Sequence, residues 1–434
     1  MVIVDFVYLI YIILTSPYYL FKFATSHYHR QGLPQRFGFI KKRENNKKCI
    51  WLHGASVGEI NASEILIERL SKLYPACELV ISTTTPSAQK LVKKKYPEIM
   101  SFFFPIDLSI IIRSVLNRIK PSLIILIEQE LWLNLIRLSD SMNIPVILLN
   151  GRMTKHSTRK YRLIKPLIKR IWNKVSYFCV QNEEYLERFK HLGIHSSKLR
   201  ITGNMKYDLL NTAPVKAQGD SYKNIFGIKD GDLVIIAGST HPPEEEIIID
   251  AYSELKNKFT TEGSPVGANL RLIIAPRHPF RFDDVDKIIK AKGFEVVRRS
   301  NPPAAINKSA IVLLDTLGEL NKVYEIADIV FVGGSLVRHG GQSILEPAAA
   351  GKAMIFGPDM SNFQDISDQL IKEGAAISVP DKSGLHQTFL SLIAEPARRN
   401  QIGAKAKDII SRYQGATAQN MEFIRKLVDP VRDA

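Results

Sequence analysis

Three carboxylates in this sequence stand where an apolar run gives way to a helical pattern: Glu59, Glu128 and Glu130. Glu59 ends the segment His53-Gly54-Ala55-Ser56-Val57-Gly58-Glu59, between a short apolar strand at 49–53 and a helix pattern at 59–73. There it can serve as the capping partner of the helix N-terminus, or as a general base if a substrate hydroxyl comes within hydrogen-bond reach. Glu128 and Glu130 follow the apolar run 122–127 in Glu128-Gln129-Glu130-Leu131-Trp132, so the strand end delivers them to the same edge as Glu59. One of the two can orient a substrate or assist charge redistribution while the other holds the loop. Lys206, in the turn Gly203-Asn204-Met205-Lys206, can neutralise a leaving phosphate or be an ordinary surface lysine.

The second half carries a different set. The apolar run 329–332 stops at Gly333-Gly334, a second glycine pair follows at Gly340-Gly341, and Ser343 opens an apolar helical stretch carrying Glu346. Strand, glycine turn and helix start is the arrangement that aims backbone N–H groups at a phosphate. A glutamate one turn inside such a helix can accept from ribose hydroxyls. The next strand, 352–356, ends at Gly357-Pro358, on the edge where open α/β sheets bind ligands. Arg277, stiffened between Pro276 and Pro279, offers fixed donors suited to a phosphate. Gly238-Ser239-Thr240-His241 and Leu317-Gly318-Glu319 end two further strands, so these loops together predict a nucleotide-sugar site. The strand ends carry no Asp-x-Asp pair and no His or Cys cluster with ligand spacing, so the expectation is catalysis without a metal or other cofactor. Serine-hydrolase and P-loop signatures are absent too.

Alternating strand and helix patterns position these loops. Strands are predicted at 49–53, 79–82, 122–127, 146–149 and 177–180, and again at 233–237, 270–275, 295–297, 311–314, 329–332 and 353–356. Such alternation indicates parallel strands joined by crossover helices. A polar stretch at 209–222, with Pro214 and Gly219, interrupts it and reads as a linker. With 434 residues the chain is too long for one typical core. The expected architecture is α/β: two doubly wound Rossmann-like domains, 23–208 and 223–434, facing a cleft.

The formal charge of +16 sits in one half. Residues 1–208 hold 32 Lys+Arg against 15 Asp+Glu, and residues 209–434 hold 27 against 28. The first half should therefore face something anionic, either nucleic acid or an anionic lipid surface. Residues 2–20 are almost continuously apolar, broken by Asp5 and Ser16-Pro17, and the cations Lys22, Arg30, Arg36, Lys41, Lys42, Arg43, Lys47 and Lys48 follow. This reads as an uncleaved membrane anchor at 1–22 with everything downstream cytoplasmic, the competing reading being a buried first helix. The anchor and the lack of aromatic single-strand motifs speak against nucleic acid. Segment 152–174 combines nine basic residues with a hydrophobic stripe and is the leading candidate for meeting lipid headgroups. Cys49, Cys77 and Cys179 are few and scattered, as expected of a reducing compartment.

Taken in order, several motifs resemble one family over nearly the whole chain. They are Gly32 with Arg36 and Gly38, Ser56-Val57-Gly58-Glu59, Glu128-Gln129-Glu130-Leu131-Trp132, Asn150-Gly151-Arg152, Gly203-Asn204-Met205-Lys206, Pro276-Arg277-His278-Pro279, Leu317-Gly318-Glu319 and 333–358. The family is the Kdo transferases of lipopolysaccharide assembly, which move 3-deoxy-D-manno-octulosonic acid (Kdo) from CMP-Kdo to a lipid A precursor, lipid IVA. The resemblance implies the GT-B fold, inversion at the anomeric centre, no metal, and work at the cytoplasmic face of the inner membrane. It implies that Glu59 is the base and that Glu128 or Glu130, with Lys206, supports the transition state. It also implies CMP contacts from Pro276 and Arg277, from Leu317, Gly318 and Glu319, and from Ser343, Ile344, Leu345 and Glu346. Three departures stand out: Leu133 where the family usually has Pro, Gly151 where it has Ala, and Gln342-Ser343 where it has His-Asn. Competing readings are another GT-B enzyme acting on a lipid-linked acceptor, a GT-B-like sugar-nucleotide epimerase, and a membrane-attached nucleotide- or RNA-binding protein.

Overall fold

The structure, a computed structural model, describes residues 4–6, 8–10, 13, 15–16, 30–129, 132–211, 216–264, 269–303 and 306–429. The chain divides into two compact units, Met1–Leu209 with Tyr413–Ala434, and Leu210–Arg412. Each is built on one seven-stranded sheet whose described pairings are all parallel.

The first unit contains β1 (Cys49–His53), β2 (Glu78–Thr83), β3 (Met100–Phe103), β4 (Leu123–Ile127), β5 (Val146–Gly151), β6 (Tyr177–Val180) and β7 (Leu199–Ile201). Their order across the sheet is β3-β2-β1-β4-β5-β6-β7. β1 lies between β2 and β4, with Trp51 opposite Val80 and Ile124. Successive side chains enter opposite layers: Trp51, Ile124, Leu126 and Leu148 join one core cluster, and Leu52, Leu123, Ile125 and Leu149 the other. Helices cover both faces, which is why these strands read as unbroken apolar runs. Edge strands β3 and β7 escape that pattern because they are short and only partly buried.

The second unit contains β8 (Leu233–Thr240), β9 (Leu270–Pro276), β10 (Val296–Arg298), β11 (Ile311–Leu313), β12 (Ile329–Val332), β13 (Ala353–Phe356) and β14 (Ile377–Ser378), in the order β10-β11-β9-β8-β12-β13-β14. In both sheets the chain starts near the middle, winds to one edge and returns to wind to the other. The order reverses between β1 and β4 in the first sheet and between β8 and β12 in the second. Loops leaving those strand pairs diverge, which opens a crevice at the carboxyl ends.

Two boundaries differ from the sequence expectation. The segment 209–222 is largely structured, with a 3₁₀ turn at Met205–Asn211 and a helix at Lys216–Ile225. Tyr222 is buried in the second unit and its hydroxyl donates to Glu319 (3.0 Å). At the other end, residues 413–434 belong to the first unit instead of completing the second. Helix Ala416–Val428 places Met421, Ile424 and Val428 in the core beneath β1 and β4, and Asp208 accepts from Gly415 N and Thr417 N (2.6 Å each) at its start.

Of the expected anchor, residues 1–3, 7, 11–12, 14 and 17–22 lie outside the described residues. Among the described residues no helix is long and apolar enough to cross a membrane. Asp5, the charge that interrupts the apolar run, accepts from Ser109 N and from Asn134 Nδ2 (2.9 Å each), which ties it to helices Ser109–Ile119 and Leu133–Ser141. Val4 is buried, whereas Phe6, Leu9, Ile10 and Ile13 are exposed.

Candidate functional site

At the reversal point of the first sheet, β1 runs into helix Val57–Ala62 through a capping box. Ser56 Oγ accepts from Glu59 N (3.3 Å), while the Glu59 carboxylate accepts from Ala55 N (2.7 Å) and Ser56 Oγ (3.0 Å). Glu59 is therefore held in one orientation at a helix N-terminus, half-buried.

Next to it, Glu128 leaves β4 in the left-handed region, with φ 60°. Its N–H donates to Leu149 O (3.0 Å), and Lys206 Nζ lies 3.3 Å from its carboxylate. Glu130 and Leu131 lie outside the described residues. Trp132 stacks on Phe104, ring centroids 4.8 Å apart. The helix that follows is capped by Asp107, whose carboxylate accepts from Asn134 N and Leu135 N (2.9 Å each). Burial pushes the Asp107 carboxyl up to about 7, against the pull of those two amides and the Tyr8 hydroxyl.

Lys206 owes its place to Asn150 at the end of β5. Asn150 is fully buried with φ 55°, and its Oδ1 accepts from Met205 N (3.0 Å). Gly151, the departure beside it, is tightly packed, since a Cβ there would come within 3.0 Å of Val180 Cγ1 and 3.2 Å of Cys179 O. The structure thus joins Glu128 and Lys206 as an ion pair and sets Glu59 on the adjoining strand end.

The second reversal point differs from the sequence expectation. The amides after Gly333 do not wait for a phosphate. Those of Gly334 (2.7 Å), Ser335 (3.0 Å) and Leu336 (3.0 Å) donate to the buried carboxylate of Glu244, as does His241 N (2.9 Å). Burial raises the Glu244 pKa, opposed by these four N–H groups. Gly333 is required for close approach instead, because a Cβ there would lie 2.5 Å from Ser239 O.

Above this brace sits a chain of nitrogen-bearing side chains. Arg277 follows Pro276 at the end of β9, its N–H donating to Thr240 O (3.1 Å) and its Nε to Gln342 Oε1 (3.2 Å). Gln342 Nε2 lies 3.2 Å from His241 Nε2. His241 stacks on His339 (4.3 Å, 25°) and meets His278 edge-on (5.4 Å, 86°). Burial, reinforced by the neighbouring His339, His278, Arg277 and Arg281, pushes the His241 imidazole down to about 4. Sequence reasoning did not assign Gln342, His339 or Glu244 to the site. The available signal was that three histidines all fall in loops around the switch strands.

The other residues expected around the nucleotide follow β11 and β12. Ser343 and Ile344 lead into helix Leu345–Ala349, with Glu346 in its first turn. Leu317 is exposed and Gly318 has φ 82°. Glu319 accepts from Arg299 (2.9 Å), Tyr222 and Thr316. Its pKa is lowered, these hydrogen bonds outweighing the rise that burial alone would bring. Among the described residues, no group of three or more His, Cys, Asp or Glu is placed to hold a metal ion.

The profile of a family described as 3-deoxy-D-manno-octulosonic-acid transferase (kdotransferase) matches residues 31–209. A 3-deoxy-D-manno-octulosonic acid transferase from Haemophilus influenzae is 32% identical over 408 residues, covering 92% of each chain. In fold alone, a solved glycosyltransferase from Rickettsia africae matches with a TM-score of 0.56 at 12% identity, over 89% of this chain and 100% of that one. A UDP-GlcNAc 2-epimerase from Neisseria meningitidis matches with a TM-score of 0.53 at 14% identity, over 84% and 99%. Transferases and epimerases share this two-sheet architecture, so the fold leaves both open and the sequence relationship decides between them. The chain belongs to the 3-deoxy-D-manno-octulosonic acid transferase family of glycosyltransferases.

Proposed function

We propose that the protein transfers Kdo from CMP-Kdo to the lipid A precursor lipid IVA, with inversion, in lipopolysaccharide biosynthesis. The observation that carries this reading is the opposed chemistry of the two switch points: oriented carboxylates at the end of the first sheet, and an arginine with imidazoles at the end of the second. Glu59 takes the proton of the attacking acceptor hydroxyl. The Glu128–Lys206 pair, with Glu130, supports charge movement as the bond to the nucleotide breaks. Arg277 holds the donor phosphate, and Pro276, Leu317, Gly318, Glu319, Ser343, Ile344, Leu345 and Glu346 surround the nucleotide. Two outer nitrogens of Arg277 are left for that phosphate, since only its Nε and backbone N–H have partners among the described residues.

The acceptor's phosphates suit the basic first half. In the segment 152–174, helix Lys155–Arg162 buries no side chain and helix Lys165–Trp172 turns Ile168, Ile171 and Trp172 inward. Leu163 and Ile164 stay exposed between them, flanked by Arg159, Lys160, Arg162 and Lys165. That combination fits headgroups at an anionic interface, with the apolar N-terminal segment 1–22 as a second contact on the cytoplasmic face of the inner membrane.

The decisive experiment incubates purified protein with CMP-Kdo and a tetraacylated lipid A precursor and reads product masses. Addition of one or more Kdo units is expected, and transfer is expected to persist in EDTA. A lipid product carrying a different sugar, formed only from another nucleotide donor, would favour another GT-B enzyme acting on a lipid-linked acceptor. Arg277→Ala is expected to weaken CMP binding by about tenfold or more in calorimetry, the scale of a lost charge-assisted hydrogen bond. Unchanged affinity would place the nucleotide elsewhere.

A further inference from the structure

Resting on that donor reading, we propose that His278 and His339, backed by His241 and Gln342, receive the carboxylate of the transferred sugar acid, separately from the hold of Arg277 on the phosphate. An octulosonic acid linked to a nucleotide through its ketose carbon carries two anionic groups on that one carbon, the carboxylate directly and the phosphate through oxygen. A donor site for it therefore needs two groups of donors a few ångströms apart. A site for an ordinary nucleotide sugar needs one.

The loops around β8 and β12 supply such a pair. Arginine only donates, so the Gln342 oxygen faces Arg277 and its amide nitrogen faces His241. His241 Nε2 must then accept, which places the ring proton on Nδ1 and makes this buried imidazole a neutral backing. His339 stacks over it and His278 stands against its edge, both exposed, while Arg277 holds the far end of the glutamine. Arg277 and the two exposed imidazoles are thereby presented side by side, with Gln342 as the spacer.

Among the described residues no carboxylate is hydrogen-bonded or ion-paired to Arg277, His278 or His339. The acids around them are engaged elsewhere: Glu244 with four backbone amides, Glu245 with Thr240 Oγ1 and Arg281, and Asp359 with Gly340 N and Ser361 Oγ. The three rings stack or meet edge-on, and it is their ring N–H donors that serve an anion. Phe280, 76% exposed, stacks on the outer side of His278 (5.2 Å, 13°) and supplies an apolar wall beside the carboxylate.

The test separates the two anions. For His278→Ala, His339→Ala and the double variant, CMP affinity is measured by calorimetry, and KM and kcat with CMP-Kdo. The double variant is expected to bind CMP within about twofold of the parent while KM for CMP-Kdo rises about tenfold or more. Arg277→Ala should weaken both ligands. Free Kdo added with CMP should inhibit the parent better than its methyl ester, and the double variant should lose that preference. Because both histidines are exposed, melting temperatures should be unchanged, which excludes unfolding as the cause. Equal weakening of CMP and CMP-Kdo in the histidine variants would assign them to the phosphate, and an unchanged KM would leave them without a ligand; either overturns the assignment. Parent protein that binds no CMP would overturn the donor reading itself, and this assignment with it.

Discussion

In both units the strand at the switch point leads into a helix whose first turn carries a glutamate reaching back to loop amides: Glu59 after β1 and Glu244 after β8. Glu59 takes one backbone amide and one hydroxyl, and stays half-buried. Glu244 takes four amides and is sealed, with no exposed surface. A glutamate in the first turn after the switch strand thus closes a capping box in one sheet and braces a whole glycine turn in the other. The brace takes up the acid at the second edge, where Arg277, His278 and His339 stand exposed. At Glu59 the Ala55 amide and the Ser56 hydroxyl fix the carboxylate at the helix start.

Glu244 carries the largest expected effect. Glu244→Ala would orphan four buried N–H groups, and a loss of about 3 kcal/mol or more in unfolding free energy is expected, read by chemical denaturation. A loss under about 1 kcal/mol would mean the glycine turn satisfies its own amides and the brace is dispensable. Glu59→Gln is the counterpart. Glutamine at this position still completes the capping box, so the fold should hold while transfer falls about 10²-fold or more. Near-normal turnover would make Glu59 a brace like Glu244 and erase the difference between the two edges.

What the sequence disclosed follows from how local each feature is. Leu-Ile-Ile-Leu-Ile at 123–127 is buried on both faces and declares a central strand, whereas Leu-Arg-Ile at 199–201 and Ile-Ser at 377–378 are edge strands too short to show a period. Glu59 and Ser56 were readable as a cap because the motif spans four residues. The carboxylate that fills the turn after Gly333 comes from about 90 residues upstream, so glycines that looked like a phosphate cradle were packing glycines. Glu128 and Lys206 were each legible as candidates, but their pairing depends on the αL turn at Asn150, which holds the 203–206 loop. The last helix shows an amphipathic pattern, yet only tertiary packing on the first sheet decides which unit it completes.

Glu128 sharpens the contrast from the other direction, because its placement has a backbone cost. A non-glycine residue at φ 60° gives up about 1 kcal/mol, so Glu128→Gly should leave stability equal or raise it by that amount. Transfer should nevertheless fall about tenfold, since Lys206 loses its 3.3 Å partner and an electrostatic support of the reaction with it. Thermal melts alongside initial rates decide the matter. A variant both more stable and fully active would show that the strain at β4 serves the loop and not the chemistry.

The smallest expected effect belongs to Asp107, the acid that braces the first edge by capping the helix after Glu128. Its carboxyl is raised from the ordinary aspartate value of 3.8 to about 7, burial being the largest cause and the nearby Asp5 charge a lesser one. The folded protein therefore binds a proton near neutrality that the unfolded chain has already released. Stability from this group is complete below about pH 4 and is lost as pH rises through 7, which amounts to about 1 kcal/mol between pH 6 and 8. Asp107→Asn keeps an oxygen for one helix amide but cannot titrate, so its stability should be flat across that window where the parent declines. Parallel curves for parent and variant would mean that Asp107 is charged in the fold, held by its two helix amides. The two sheet edges would then differ only in how much surface their acids keep.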